Sequence, residues 1–532
     1  MSELQSPLAA IAGDVQARFG GAVRLRDSRS REIYLEADCR SIQQVALHLC
    51  GLPNVRLAMV FASDQRPQES VFYIHYAFAC DRAGGFLLIR IPIPADQPEF
   101  PSLTPSIPAV NWHEREIRDW FGIGPVDHPN PRKVATHDDW PDQVFPLRKD
   151  FDLMTRIPLC NRPRHVFRPV EGEGVFQVPV GPIHAGIIEP GHFRFSVAGE
   201  PILYLQIRLF YTHKATEKLF EQRPLANCVF LAESVSGDSS FSHATAFCQA
   251  IENLAGMEVP RRARLMRTLL LELERLYNHI ADVGAIAADV GFMVANAHAM
   301  RLKERILRLN GQLTGNRLLR GMNVIGGVRW DWDFVQIEAV ETVLSSVSRE
   351  FELLTDPIFS SASTLDRLDN TGILQSQIAR DLGVVGVAGR ASGVNLDVRR
   401  DHPYAAYDEI APKVTVYDRG DVFCRMKVRM DEANESIQIA LEAINRLSEG
   451  PVRTEIPLSP ARNYGLGYVE GWRGEILVWI QMGEDGRISR CKIKDPSLNN
   501  WPALPEAVQG NIIPDFPVIN KSFNLSYSGT DR

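Results

Sequence analysis

Downstream of Pro260, the chain places Leu265, Met266, Leu269, Leu270, Leu273, Leu276, Tyr277 and Ile280 at helical spacing. The proline suits the first turn of that helix, where its missing N–H costs nothing. A stripe this broad cannot stay in water. It needs apolar neighbours on more than one side, so the chain must build a helical bundle around it. Helical patterns at 299–314, 334–354 and 429–448 offer those neighbours. Burying each large side chain contributes about 1.5–3 kcal/mol, so this one helix, centred on 260–283, can anchor a core.

The first 95 residues are built differently. SIQQVALHLCGL has helical spacing, but VRLAMVFASD, SVFYIHYAFAC and GFLLIRIPI are β-rich runs bounded by turn residues. Pro94 to Pro108 is dense in proline and reads as an extended connector. A short helix follows in WHEREIRDWFGI. The strip HPNPRKVATHDDWPDQVFPLRKDF then reads as a long ordered loop that wraps a surface. From about 170, Gly/Pro turns separate segments with the pattern of antiparallel strands, and the last hundred residues return to strand-like pieces. The fold class expected is α+β. An α/β domain over 1–155 and a linker at 156–170 precede a helical-bundle-centred α+β domain over 171–532.

At 532 residues with 45% apolar and 23% charged side chains, the chain is an ordinary globular protein of two to four domains. A net charge of −7 argues against nucleic acid as a partner. No apolar run is long enough to span a bilayer, and MSELQSPLAA lacks the charged-then-apolar order of a signal peptide. The eight cysteines form no C-x-x-C pair; they read as small buried side chains in a reducing cytoplasm.

Common chemistries fail on spacing. Gly383, Gly386, Gly389 and Gly393 do not make G-x-G-x-x-G, and no Walker loop exists, so no nucleotide is expected here. Ser236 and Ser239 lack the G-x-S-x-G context of a hydrolase. Asp238 and Ser239 are placed instead to cap a helix starting near Phe241. His184 and His192 stand eight apart without cysteine partners, a poor zinc pattern.

Two blocks carry a family resemblance. Trp112-His113-Glu114-Arg115-Glu116-Ile117-Arg118-Asp119-Trp120-Phe121-Gly122-Ile123, with His128-Pro129, Arg132, Asp139-Trp140 and Pro146-Leu147-Arg148-Lys149-Asp150-Phe151, resembles the C subunit of NADH:quinone oxidoreductase, respiratory complex I. Val180-Gly181-Pro182-Ile183-His184, Glu189-Pro190-Gly191-His192-Phe193-Arg194, Glu272-Leu273-Glu274-Arg275-Leu276, Asn323 to Val328, Arg390 to Gly393 and Gly420 to Phe423 resemble the D subunit. They equally resemble the large subunit of group 4 membrane-bound [NiFe] hydrogenases of the hydrogenase-4 and formate hydrogenlyase type.

In those hydrogenases V-C-G-x-C-G-F-x-H and D-P-C-x-x-C-T-D-R supply four thiolates to a Ni–Fe centre. The matching frames here read Val235-Ser236-Gly237-Asp238-Ser239-Ser240-Phe241-Ser242-His243 and Asn524-Leu525-Ser526-Tyr527-Ser528-Gly529-Thr530-Asp531-Arg532. Ser236, Ser239, Ser526 and Gly529 stand at the four ligand positions. A serine hydroxyl stays protonated near neutral pH and is a hard, weak donor, so metal and autonomous H₂ chemistry are expected to be absent. The last residues read Thr-Asp-Arg, the mature end in that family, so on the resemblance no maturation cleavage is expected. The D-subunit tyrosine that binds the quinone head aligns with Gly237, which puts ordinary quinone reduction in doubt. A cavity lined by His184, Glu189, His192, Ser236, Asp238 and Ser526 is expected in its place.

The resemblance further implies a peripheral subunit on the cytoplasmic face of the cell membrane. Its partners there would be antiporter-like membrane subunits and, bearing a [4Fe–4S] cluster, a small iron–sulfur subunit. Glu114, Arg115, Glu116, Asp119, Arg148 and Lys149 form the expected docking strip. This chain itself is expected to bind no cofactor, although the family admits a quinone. Two alternatives stay open: an active quinone-type oxidoreductase using the altered cavity, and a non-redox scaffold or coupling subunit of an ion- or inorganic-carbon-transporting assembly.

Overall fold

Val55–Asp64, Val71–Cys80 and Gly85–Pro94 each form a ten-residue strand in the computed structural model, which describes residues 6–160, 165–455 and 462–532. Their β-branched and aromatic residues fit a pleated surface covered on both sides. With β1 (Val23–Ser28) and β2 (Glu32–Ala37) they make, as β3, β4 and β5, a sheet in the order β1-β2-β5-β4-β3. Only the β2–β5 pairing is parallel. Helices Ile42–Cys50 and Asn111–Phe121 both pack on β3, which is therefore buried along nearly its whole length.

The proline-rich connector is more ordered than its composition suggests. Glu99–Pro101 pairs in parallel with Gly124–Val126. The helix Asn111–Phe121 ends where Gly122 takes φ +68°, and a Cβ there would stand 2.5 Å from the Phe145 ring and 2.7 Å from Arg148. Among the described residues, 127–174 contain no helix or strand. Residues 161–164 of the expected linker lie outside the described residues.

Val175–Val180, His192–Ala198 and Ile202–Arg208 form a three-stranded antiparallel sheet. The bundle follows. Its central helix, Arg261–Asp289, buries all eight residues of the apolar stripe to within 1% exposure. Val422–Asn445 and Met293–Thr314 pack against it, and Phe334–Ser360 packs on the second of these. These helices start or end several residues away from the expected bounds. Asp421, whose carboxylate accepts from the Cys424 N–H at 2.8 Å, starts one of them seven residues early.

The closing sheet, Tyr464–Gly471, Gly474–Met482 and Ile488–Lys494, lies on helix Ser240–Ala255. The approach is close because two strand residues lack side chains. A Cβ at Gly467 would stand 1.8 Å from the Ala246 carbonyl oxygen, and one at Gly465 would stand 2.1 Å from that of Ala250. The architecture is the α+β arrangement expected: an N-terminal mixed α/β sheet domain, then a bundle flanked by small antiparallel sheets.

Candidate functional site

The turn before helix Ser240–Ala255 is held by local hydrogen bonds: the Ser239 N–H donates to the Ser236 carbonyl at 3.0 Å, and Ser240 Oγ donates to the Gly237 carbonyl at 2.8 Å. The side chains of Asp238 and Ser239 do not cap this helix, contrary to expectation. Glu274 of the central helix does so, accepting from the N–H groups of Phe241 (2.7 Å) and Ser242 (3.0 Å) and from the Ser242 hydroxyl. Glu274 has supplanted the local cap because the central helix crosses directly beneath the turn. Asp238 and Ser239 are thereby released for other contacts.

At the C-terminus, Ser526 caps the short turn Tyr527–Thr530: its Oγ accepts from the Gly529 N–H at 2.9 Å. The Trp501 indole N–H and the Ser497 hydroxyl fix the Ser526 backbone from the other side. The two motifs, 290 positions apart, then meet: Ser236 Oγ and Ser526 Oγ are 2.9 Å from each other, and both residues are buried.

Asp238 closes the junction. Its Oδ1 accepts from Ser236 (2.9 Å) and Ser239 (3.3 Å), and Arg473 grips both carboxylate oxygens at 2.7 Å. Burial alone would raise the Asp238 pKa; the Arg473 guanidinium and the Ser236 hydroxyl outweigh it and hold the carboxyl below its usual value. Arg473 also donates to the Asn524 carbonyl at 2.5 Å and lies over the Trp472 ring. The Trp472 and Asn278 side chains in turn donate to the Asp238 carbonyl.

Gly529 sits against a second carboxylate. A Cβ built there would stand 2.6 Å from Asp495 Cγ and 2.7 Å from its Oδ2. Asp495 is fixed by the Ser497 N–H (2.8 Å) and by His243 Nε2 (3.1 Å). Burial opposes its ionisation, but the His243 contact and the Arg473 charge lower its pKa to about 2.

The other expected cavity residues are placed at the edge. His184 and His192 bond to the backbone carbonyls of Gly191 (2.8 Å) and Gly181 (3.2 Å) across the tip of the hairpin joining two strands. Glu189 reaches the second motif, accepting from the Ser528 N–H at 3.0 Å. Gly237 is exposed, with Arg320 3.4 Å from where its Cβ would be. The structure thus joins Ser236, Asp238, Ser239 and Ser526 directly, Gly529 through Ser526, and Glu189 through Ser528. The two histidines stay with their own hairpin. Two cavities of about 140 Å³ lie elsewhere.

The charged groups of the strip over 112–151 turn inward. Glu114 accepts from Ser102, Thr104 and the Leu103 N–H, all at 2.6 Å. Arg115 donates to the carbonyls of Arg132 and Lys133. Asp119 accepts three backbone N–H groups, from Val134, Ala135 and Thr136. Glu116 meets the second half of the same chain: Lys492 at 3.0 Å and Arg532 at 2.7 and 2.8 Å. Arg148 donates to the Phe121 carbonyl at 2.6 Å, and Lys149 pairs with Glu221 at 3.0 Å. Each of these side chains has a partner within its own chain.

Arg473 and Asp495 complete the site and are not singled out by the sequence; His243 and Glu274 enter only within the blocks of resemblance. The one available signal is the tight Trp472-Arg473-Gly474 turn between two strands. Chemically the junction is a closed set of hydroxyls with one bidentate ion pair. Hard hydroxyl donors, a guanidinium and a position with no room for a side chain do not suit a soft bimetallic centre. Among the described residues, no three His, Cys, Asp or Glu side chains gather as a metal site.

Comparison with known proteins adds the lineage. The family described as respiratory-chain NADH dehydrogenase, 49 Kd subunit, matches residues 289–464 and 457–532, and that of the 30 Kd subunit matches 35–156. The chain is 35% identical to formate hydrogenlyase subunit 5 of Escherichia coli over 483 residues, 90% of this chain and 84% of that protein. It is 33% identical to hydrogenase-4 component G of Escherichia coli, covering 98% and 92%. The C/D polypeptide of NADH-quinone oxidoreductase from Phocaeicola vulgatus is 30% identical, covering 82% and 88%. Among solved structures, a chain of the membrane-bound sulfane sulfur reductase, an archaeal respiratory membrane complex, shares the fold. Its TM-score is 0.64 at 24% identity, covering 69% of this chain and all of that one.

Proposed function

The chain belongs to the family of fused 30 Kd and 49 Kd respiratory NADH dehydrogenase subunits and their hydrogenase relatives, and on that premise we propose that it is a peripheral subunit of a membrane-bound, complex I-like or hydrogenase-4-like redox complex whose Ni–Fe site no longer binds metal. The observation that carries this reading is the 2.9 Å contact between Ser236 and Ser526. The two motifs still converge, so the frame is intact, but they are tied by hydroxyls and by the Asp238–Arg473 pair. A frame kept whole around an exchanged donor set supports a continuing role in assembly rather than decay. The exposed Gly237 offers no hydroxyl to a quinone head, which favours this role over quinone turnover. The domains over 1–155 and 171–532 would act as one unit, since Glu116 of the first is ion-paired to Lys492 and Arg532 of the second. No helix among the described residues is long and apolar enough to cross a membrane, so attachment would run through partner subunits.

Affinity purification of the tagged chain from solubilised membranes tests this. The expected result is co-purification with antiporter-like membrane subunits and a small iron–sulfur subunit, in a complex that translocates ions. Recovery of the chain alone from the soluble fraction would contradict it. An iron–sulfur partner lacking its cluster cysteines would favour a non-redox scaffold.

A further inference from the structure

Between the central helix and the closing sheet lies a set of buried side chains whose charges do not balance. Glu272, Asp397, Glu432 and Glu470 face Arg275, Arg390 and Arg399, and none of the seven is more than 3% exposed. Their contacts make them one set. Arg399 bridges Asp397 (2.7 Å) and Glu272 (3.0 Å), Arg390 bridges Glu432 (2.7 Å) and Glu470 (2.8 Å), and Arg275 lies 3.4 Å from both Glu272 and Glu432. The charged groups packed around the set are answered among themselves. Lys494 and Arg56 pair with Glu475 and Asp81, which His402 also contacts; Arg429 pairs with Asp282, and Arg400 with Asp401. Four carboxylates against three guanidiniums leave one negative charge in a low-dielectric interior, where a group neutralises itself by taking a proton.

Hydrogen bonding distinguishes the four carboxylates. Glu272 accepts from Arg399, Tyr407 and Ser436. Glu432 accepts from Arg390, His279 and Arg275. Asp397 accepts from two side-chain nitrogens of Arg399 and from its backbone N–H. Glu470, among the described residues, accepts from Arg390 and from the Val398 N–H at 3.1 Å. It is the least supported of the four. Burial and the Asp397 charge push the Glu470 carboxyl up to about 7 against the pull of Arg390 and Arg275. At Asp397 burial is overcome by Arg399 and Arg390, which hold its pKa at about 2. His279 is the other group able to take the charge. Its Nδ1 is buried without a hydrogen-bond partner among the described residues, and burial lowers its pKa although Nε2 meets Glu432 at 2.9 Å.

We propose that this cluster is a proton-binding site, holding one exchangeable proton on Glu470 at neutral pH. The proton makes the buried set neutral, and its release returns one negative charge to the interior. Such a group takes up or gives back a proton when the charge around it changes. A cavity of about 140 Å³ borders the strand that carries Glu470. It is lined by Thr245, Gln249, Glu252, Asn253, Arg267 and Tyr404 among others, polar and roomy enough for water. Tyr404 is the link: its hydroxyl accepts from the Glu470 N–H at 3.0 Å.

Infrared difference spectroscopy of the purified full-length chain tests the assignment. Subtracting the Glu470→Gln spectrum from that of the unaltered chain at about pH 6 should leave one protonated-carboxyl band per chain, and at about pH 9 that band should be gone. Asp397→Asn removes the excess charge without touching Glu470, so it should lose the same band at about pH 6. Glutamine mimics the neutral carboxyl, so Glu470→Gln should fold with an unchanged circular dichroism spectrum. Absence of the band at about pH 6, the result expected if a charged His279 balanced the cluster, would overturn the proposal. So would survival of the band in Asp397→Asn, or collapse of the Glu470→Gln fold. If Asp397→Asn does not fold, the Glu470→Gln comparison decides alone.

Discussion

Two regions of this molecule take polar groups out of water, and they do so on opposite terms. Around the central helix, the buried carboxylates are answered several times. Glu432 accepts from Arg390 (2.7 Å), His279 (2.9 Å) and Arg275 (3.4 Å). Glu272 accepts from Arg399 (3.0 Å), Tyr407 (2.5 Å) and Ser436 (2.5 Å). All of these groups are buried. At the Ser236–Ser526 junction, hydroxyl meets hydroxyl, and the carboxylate that closes it, Asp238, keeps 41% of its side chain exposed. A buried ionic network must be complete, because any member left alone is an uncompensated charge in a low-dielectric interior. Buried hydroxyls that are neutral, closed by a carboxylate that is itself partly exposed, carry no such penalty. On that difference, side chains at the junction should tolerate substitution better than those of the bundle beside it.

The contrast is sharpest where a charge is removed. Glu432→Ala leaves His279 without its carboxylate and takes one carboxylate each from Arg390, which keeps Glu470, and Arg275, which keeps Glu272; it is expected to destabilise the fold by about 3–5 kcal/mol in denaturant unfolding. A loss below about 1 kcal/mol would erase the distinction drawn between the two regions.

Glu274 links the regions and gives the next effect. Burial, opposed by the Ser242 hydroxyl and by the Phe241 and Ser242 N–H groups, raises its pKa to about 7. A carboxyl raised above its unfolded value stabilises the fold below the unfolded pKa, near 4.5, and loses that contribution as pH rises through about 7. Stability should therefore fall by about 2–3 kcal/mol between pH 5 and pH 8.5. Glu274→Gln should flatten that slope; an unchanged slope would contradict the assignment. Asp495, lowered to about 2, has the opposite sign: its contribution is present above about 4 and is lost as pH falls toward 2.

Smaller effects follow. Asp119→Ala leaves three backbone N–H groups, those of Ala135 and Thr136 buried and that of Val134 half-buried, without an acceptor and should cost about 1.5–3 kcal/mol in the isolated chain. An isolated chain of normal stability that fails only in assembly would return this residue to an outward docking role. Ser236→Ala should cost the least, about 0.5–1.5 kcal/mol. A cost as large as that of Glu432→Ala would put the junction in the same class as the network.

Legibility in the sequence follows the same division. The apolar stripe over 265–280 and the hydrophobic runs of β3, β4 and β5 declare themselves because periodicity and burial coincide there. β1, with Arg24, Arg26 and Asp27, is an edge strand whose charges hide it. Glu272, Glu274 and Arg275 of the central helix are buried, which periodicity alone does not announce. Their partners arrive from far along the chain, as Arg399 does from 127 positions away. The strip over 112–151 reads as charged and outward for the same reason: Lys492 and Arg532, which cover Glu116, are invisible to local pattern. At the site, the convergence of 236–239 with 526–529 is legible only through family resemblance. Arg473 and Asp495 are not legible, because a bidentate ion pair across 235 positions leaves no local trace.

The central claim is that two converging motifs are closed by side-chain oxygens and an ion pair in place of a metal. Nickel content per chain, measured by plasma mass spectrometry on the complex purified from its own membranes, tests it most directly. The account predicts a value indistinguishable from zero, unchanged by Asp238→Asn. One nickel per chain, retained through purification, would contradict it.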